Sequence, residues 1–432
     1  MPQRLQVGID FSQKRADICC LFPDGRFVEA HRPFANSWPG YEQARDFLRE
    51  LLVCHQFDGL DISGEATGYY WLPFFQQLAA DPALAAYDPA LFLLNPRWVK
   101  WFKKCFAQND KSDPKDAFYI AERTRTRRPD HPWQAPDTLP VRFYTRYRFH
   151  LALDLTREKN YFTALLFLKA SSYARRQPFA DVFGVTSRLI LSRQTNLADL
   201  AALPADALAD FLDDLSQHHL PDPADNASKL HLAIAESFPL NPSLAQPIQD
   251  CLDFGLSHIR FLETQLAQVE ARIATAVQAY PAIVQLTSIP GVGPVYSAAI
   301  GAEIGPTDRF LHGQKWDKTR QAYRPRTLRD AEDAVAKLAG LWWPKNDSGD
   351  FVAQDRHLAK SGNRYLRYYL IQAADKMRQH IPEYAQFYQR KYQEVSKHQH
   401  KRALVLTARK SVGLFVGLLH RNEAYRSKEV TA

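Results

Sequence analysis

The chain holds 432 residues with a formal net charge of +8, and 46% of it is apolar and 12% aromatic. That length is too great for one compact core, so two or three domains are expected, and the apolar content excludes general disorder. The basic balance favours a polyanionic partner, nucleic acid above all, although a chain this long can carry +8 simply as a soluble surface.

In chain order, Leu5 to Asp10 reads as a short strand ending in an acid. Ala16 to Phe22 is a second strand, joined by the turn signal Pro23-Asp24-Gly25-Arg26 to Phe27-Val28. Helical periodicity runs from Tyr41 to His55 through Phe47, Leu48, Leu51 and Leu52. Gly59 to Glu65 is another strand ending in an acid, Phe74 to Ala80 a helix, and Ala90 to Leu94 a strand running into Asn95-Pro96. Mixed strands and helices of this kind predict an α/β domain. Asp116 to Arg128 reads as a helix that turns basic through Arg123, Arg125, Arg127 and Arg128. A proline-rich loop follows. Arg142 to Arg176 then reads as one long helix in which Arg142, Arg146, Arg157, Lys159 and Lys169 alternate with tyrosines and phenylalanines. Aromatics between cations suit base stacking and phosphate contacts, and equally a packed helix with a solvated basic face.

Short helices are expected from Asn196 to Asn226. Leu252, Leu256, Ile259, Leu262, Leu266, Val269 and Ile273 are spaced as heptads, which predicts a coiled-coil arm, a dimer seam or the core of a bundle. From Pro281 the chain reads as helical to its end apart from two loops. The domains drawn from this pattern are 1–185, a helical linker with the coiled-coil segment at 186–280, and a mainly α domain at 281–432. Cys19, Cys20, Cys54, Cys105 and Cys251 have no zinc spacing and read as reduced thiols. No signal-peptide core and no stretch near eighteen apolar residues is seen, so a soluble cytoplasmic protein with no membrane span is expected.

Two constellations carry chemistry. Asp10 and Glu65 each end a predicted strand, and Asp113 and Asp116 lie in Asn109-Asp110-Lys111-Ser112-Asp113-Pro114-Lys115-Asp116-Ala117. Ser112 or Asp113 suits an N-cap with Pro114 at the first helical position, and the i,i+3 spacing puts both acids on one side of the first turn. Hard divalent cations want such oxygen ligands, and two of them about 4 Å apart can clamp a phosphodiester. Singly, each acid is also explained as a turn residue, a cap or a surface acid. Near the other end, Ile289-Pro290-Gly291-Val292-Gly293-Pro294 opens a helix like one helix-hairpin-helix unit, in which backbone N–H groups near Gly291 and Gly293 could hold a phosphate. A tight helix–helix turn explains it as well. Gly340-Leu341-Trp342-Trp343-Pro344 precedes Asp347-Ser348-Gly349 and Lys360-Ser361-Gly362-Asn363-Arg364-Tyr365-Leu366-Arg367. Lys360, Arg364 and Arg367 fall where phosphate binding would help, and a solvated basic face explains them too.

The acid on strand one, Glu65 in Gly64-Glu65-Ala66-Thr67-Gly68, and Ser112-Asp113-Pro114-Lys115-Asp116-Ala117 together resemble the DEDD-type insertion-sequence transposases, family one-hundred-ten. The IPGVG segment and the GL..P, SG and K-S-G-N-R-Y-L-R segments resemble the same family's C-terminal domain. The resemblance implies an RNase H/RuvC-like mixed sheet with helices, magnesium or manganese on Asp10, Glu65, Asp113 and Asp116, and Ser348 as nucleophile, with Ser361 as the alternative. It implies double-stranded DNA (element ends and target) as substrate, an element-encoded guide RNA, and a homodimer or homotetramer in which the serine of one subunit meets the carboxylates of another. Arg123, Arg125, Arg127, Arg128, Arg142 and Arg146 are then candidates for nucleic-acid contact. The chain departs from the pattern at Trp342-Trp343, where one residue is usual, in an Arg- and Lys-rich insertion over 311–339, and in Asp347 and Asp350 beside Ser348. Two other readings stay open: a structure-selective endonuclease resembling a Holliday-junction resolvase that uses water, and a DNA-binding regulator without chemistry.

Overall fold

The computed structural model describes residues 3–106, 113–129, 131–192, 196–317, 319–344, 347–348, 351–352 and 357–427; for residues 113, 114, 347, 348, 351 and 352 it describes the backbone alone. The chain divides into two compact units, 1–137 with 311–326, and 138–310 with 327–432.

The first unit is built on five strands, β1 (Arg4–Phe11), β2 (Arg15–Leu21), β3 (Phe27–Ala35), β4 (Gly59–Glu65) and β5 (Pro89–Leu94). They lie in the order β3-β2-β1-β4-β5, with β2 antiparallel to β1 and β3, and β1, β4 and β5 parallel. Helices α1 (Trp38–Cys54), α2 (Leu72–Ala80), α3 (Pro96–Lys103) and α4 (Asp113–Thr126) complete the layers. Strand alternation decides which face each side chain joins. Leu5, Val7, Ile9 and Phe11 of β1 pack in one core with Leu48 and Leu52 of α1 and Phe74, Phe75 and Leu78 of α2. The opposite face is covered by α3 and α4. There Cys19 and Leu21 meet Ala117 and Ala121, and Ala90, Phe92 and Leu94 meet Val99 and Ile120. Gly8 lets α4 come close: a Cβ built on it would lie 2.2 Å from the Ala117 carbonyl oxygen and 2.4 Å from the Ala121 nitrogen.

The chain after Pro281, expected to be helical apart from two loops, is mostly helical, but the basic insertion holds strands. Strands β6 (Gln314–Asp317) and β7 (Ala322–Pro325) form an antiparallel hairpin there. Trp316 and Tyr323 are cross-strand partners with rings 5.1 Å apart, the kind of aromatic pair that stabilises a hairpin. The hairpin groups with the first unit.

Among its described residues the second unit consists of helices and their connections apart from two two-residue strands. Its helices are α5 (Leu139–Lys169), α6 (Tyr173–Arg176), α7 (Val185–Leu191), α8 (Leu197–Ala202), α9 (Ala205–Leu215), α10 (Pro223–Ala235), α11 (Pro242–Ala276), α12 (Pro281–Val284), α13 (Pro294–Ile304), α14 (Leu328–Leu338), α15 (Arg364–His380), α16 (Pro382–Gln393) and α17 (Gln399–Arg421); β8 (Asp347–Ser348) pairs with β9 (Phe351–Val352). The long basic helix expected to reach Arg176 ends at Lys169, and α6 follows after a break at Ala170. Heptad-spaced Leu252, Leu256 and Ile259 of α11 share a core with Phe162 and Leu166 of α5 and with leucines of α8, α9 and α10. The repeat therefore serves an interior seam of this chain's own helices. Among the described residues one helix, α17, is long and apolar enough to cross a membrane by length and composition. Its apolar side, with Ala403, Val412, Phe415 and Val416, is buried within the unit, and its Arg409 and Lys410 pair with Asp333 and Glu383.

Candidate carboxylate centre and nucleic-acid surface

In the parallel pairing of β1 with β4, Ile9 stands opposite Gly64. Asp10 and Glu65 follow by one residue, so both lie at the carboxyl ends of neighbouring strands, on the face that α4 covers. Both are half-buried. Thr67 donates its hydroxyl to Glu65 Oε1 at 2.9 Å, and Gly68 takes φ +59 to turn the chain back. The Ala-Thr-Gly after Glu65 thus holds the acid in place. The buried hydroxyls of Ser63 and Thr124, 2.5 Å apart, tie α4 to β4. Asp116, in the first turn of α4, is half-buried and receives Lys103 Nζ of α3 at 2.7 Å. The Asp113 side chain and Ser112 lie outside the described residues.

Among the described residues no three acidic, histidine or cysteine side chains are gathered as a metal set. The donors of Asp10, Glu65 and Asp116 are all carboxylate oxygens, which fits a hard divalent cation. Lys103 already sets one positive charge against Asp116.

The basic residues divide by what holds them. Arg125 is engaged by Glu122 through two bonds of 2.6 Å and donates to the Pro23 carbonyl, so it braces α4. Arg123 donates to the Arg127 carbonyl at 2.6 Å. Burial and the neighbouring Arg127 charge both weaken the hold of Arg123 on its proton. Arg128 reaches Asp61 at 3.2 Å and lies over Phe92, while Arg127 is exposed. Arg123, Arg127, Arg128 and α3 border an open cavity of about 640 Å3.

In the second unit, Arg142 donates Nε to the Ala302 carbonyl at 2.7 Å. Arg146 grips Glu303 with two bonds of 2.6 and 2.9 Å. Asn363 adds its side-chain amide to the same carboxylate at 2.6 Å and caps α15 with its oxygen. Burial alone would raise the Glu303 pKa, but Arg146, Arg142 and the Asn363 amide outweigh it and hold the carboxyl below its ordinary range. Gly362 takes φ +142, and a Cβ there would meet the Leu338 carbonyl at 2.3 Å. Arg367 donates to the Ala339 and Lys360 carbonyls, and Lys360 itself adopts φ +51. Arg364 lies over Phe149 and Tyr365. Ser361 is half-buried in the same loop. The Lys-Ser-Gly-Asn segment is therefore built as a helix entry tied to Glu303. Gly291 takes φ +83, with its Cβ direction 3.0 Å from the Lys376 backbone, whereas a Cβ on Gly293 meets nothing. This turn enters α13 with Pro294 in its first turn. Ser348 lies in β8, and its side chain is outside the described residues.

Sequence reading passed over Lys103, Trp98, Trp101 and the role of Glu303. The run Arg97-Trp98-Val99-Lys100-Trp101-Phe102-Lys103-Lys104 carries the interleaving of cations and aromatics that was sought further along the chain. Glu303 gives no signal, because an acid within an apolar helix declares its role only once its partner is in place.

Comparison with known families gives two matches in chain order. Residues 7–168 match the family model of DEDD transposases of the IS110 type. Residues 325–389 match the model described as the transposase IS116/IS110/IS902 family. No curated protein matches the chain.

Proposed function

Since the chain belongs to the IS116/IS110/IS902 transposase family, we propose that it cuts and rejoins DNA strands at the ends of an insertion element, through a divalent-metal carboxylate centre and a serine nucleophile. The observation that carries the metal half is the placement of Asp10 and Glu65 side by side on the face of the β3-β2-β1-β4-β5 sheet under α4. That strand order, with a three-stranded antiparallel meander followed by parallel strands, supports an RNase H-like and RuvC-like reading. Asp10, Glu65, Asp113 and Asp116 would hold magnesium or manganese, which when bound neutralises charge developing on a phosphodiester. Ser348 would supply the attacking hydroxyl. Its Oγ–P bond forms as one strand P–O bond breaks, its proton passes to a base, and the leaving oxygen takes up a proton. The covalent link keeps the strand end for rejoining. Double-stranded DNA is the substrate on this reading, and an element-encoded guide RNA and a homodimer or homotetramer follow from the family resemblance.

The test is strand cleavage on element-end DNA with magnesium or manganese. Asp10→Asn and Glu65→Gln should abolish cutting and leave binding. A denaturation-stable protein–DNA adduct should form and vanish in Ser348→Ala. Cleavage that survives Ser348→Ala supports the water-using endonuclease instead, and binding without any metal-dependent cutting supports the regulator. Recombination by protein freed of RNA removes the guide-RNA part.

A further inference from the structure

The cavity on the first unit has a composition that the carboxylate centre does not use. Trp98, Trp101, Phe102 and, beyond the helix end, Cys105 recur along α3 at steps of three and four, so they share one side. Both indoles are 53% exposed, which is a large apolar area to leave in water without a partner. Arg97 lies over Trp101 at 5.0 Å and helps set that ring. Opposite, Arg123 lies in the last turn of α4, and Arg127 and Arg128 follow just past its end. Among the described residues, no acidic side chain lines the cavity. The volume, about 640 Å3, lies within the roughly 300–1,000 Å3 of ligand pockets.

A flat apolar wall facing guanidinium groups fits a planar aromatic ring joined to a phosphate. We propose that this cavity receives an unpaired nucleotide of a nucleic-acid strand, its base stacked on Trp98 or Trp101 and its phosphate against Arg123 and Arg127. Base stacking on aromatic side chains requires single-stranded character, since a base inside a duplex has both faces stacked on its neighbours. The position matters for the chemistry. Arg123 is seven residues beyond Asp116 (123 − 116), two turns or roughly 10 Å along α4. Lys103, at the end of α3 two residues past Trp101, is the residue bonded to Asp116. A nucleotide held here would anchor its strand against α4, which carries Asp113 and Asp116, and against α3, which carries Lys103. The inference rests on the nucleic-acid reading above and deepens it by naming single-stranded nucleotide as the ligand of this face.

The experiment uses the full chain with labelled oligothymidylate, oligouridylate and a mixed-sequence duplex, read by fluorescence anisotropy. Trp98→Ala/Trp101→Ala should weaken single-strand binding about 5- to 150-fold, the range for loss of one stacked base, with little change for duplex. Trp98→Phe/Trp101→Phe should restore most of the affinity. In the unsubstituted protein, bound oligothymidylate should slow alkylation of Cys105 by N-ethylmaleimide and leave Cys54 and Cys251 unchanged, a readout that does not depend on the variants folding. Unchanged single-strand affinity in the alanine variant, or unprotected Cys105, overturns the pocket while leaving the nucleic-acid reading intact. If uridine monophosphate alone protects Cys105 and strands do not, the cavity is a small-molecule site and the proposal fails. If neither strand nor duplex binds the unsubstituted protein, the functional reading and the pocket fall together.

Discussion

Removing the carboxylate of Glu303 should destabilise the second unit far more than an ordinary surface substitution. The Glu303 side chain is 1% exposed, and it is bonded twice to Arg146 and once to Asn363. Breaking a buried ion pair by deleting one partner costs about 3–5 kcal/mol, because the other charge is stranded. Arg146 remains 24% exposed, so water can partly solvate it and the lower end, about 3 kcal/mol, is expected for Glu303→Ala. Glu303→Gln keeps the shape and an acceptor oxygen and exchanges charge-assisted bonds for neutral ones, about 1–2 kcal/mol. The paired change Arg146→Met with Glu303→Leu should recover most of the loss, since an apolar pair of similar volume strands no charge. Urea unfolding of the full chain, followed by circular dichroism and tryptophan fluorescence, measures the midpoints. A loss below about 1 kcal/mol in Glu303→Ala would refute the reasoning. The pH dependence has a definite sign. The folded pKa is lowered, so the stabilisation is present above the unfolded value near ~4.3 and is lost as pH falls through the folded value. The gap between the unsubstituted protein and Glu303→Gln should therefore narrow below about pH 4.3.

Gly8→Ala should push α4 away from β1, because the added carbon meets Ala117 and Ala121 backbone at 2.2 and 2.4 Å. A loss of about 3 kcal/mol is expected, with metal-dependent cutting lost as Asp116 moves, and a fully stable, active Gly8→Ala protein contradicts the packing described. Lys103→Met removes the cation that meets Asp116 at 2.7 Å, so calorimetric titration should show manganese bound up to about fivefold more tightly; weaker binding would mean that Lys103 orients the acid rather than competing with the ion. Burial, followed by the charges of Glu29 and Glu122, pushes the Cys19 thiol up to about 12, and burial likewise raises Cys20. At pH 8, native protein should therefore react with a disulfide reagent at Cys54, Cys105 and Cys251 and not at Cys19 or Cys20, and rapid labelling of all five would show that β2 opens readily.

Local chemistry made much of the first unit legible. Leu5, Val7 and Ile9 alternate with Gln6, Gly8 and Asp10, and that period of two assigns faces before any fold is known. Gly59 to Glu65 was read as a strand at its observed bounds for the same reason, with a turn on either side. The four acids were named from motif context. Their pairing was not, since the register that sets Ile9 against Gly64 is a long-range choice of the sheet. The basic arginines of α5 show the opposite case. Arg142 and Arg146 look like phosphate ligands in one dimension, and in the structure they are held by Ala302 and Glu303, about 160 residues away.

By itself the sequence determined most strand and helix types, the insertion hairpin excepted, the candidate acids and the likeness to a transposase family, because period, caps and short motifs are local. Only the tertiary structure decided that Asp10 and Glu65 stand together under α4, that Lys103 meets Asp116, that the helix after Thr138 packs on α11, and that Trp98 and Trp101 share a cavity with Arg123 and Arg127. Those facts depend on how separate elements pack, and packing is fixed by the complementarity of whole faces, which no single stretch of chain contains.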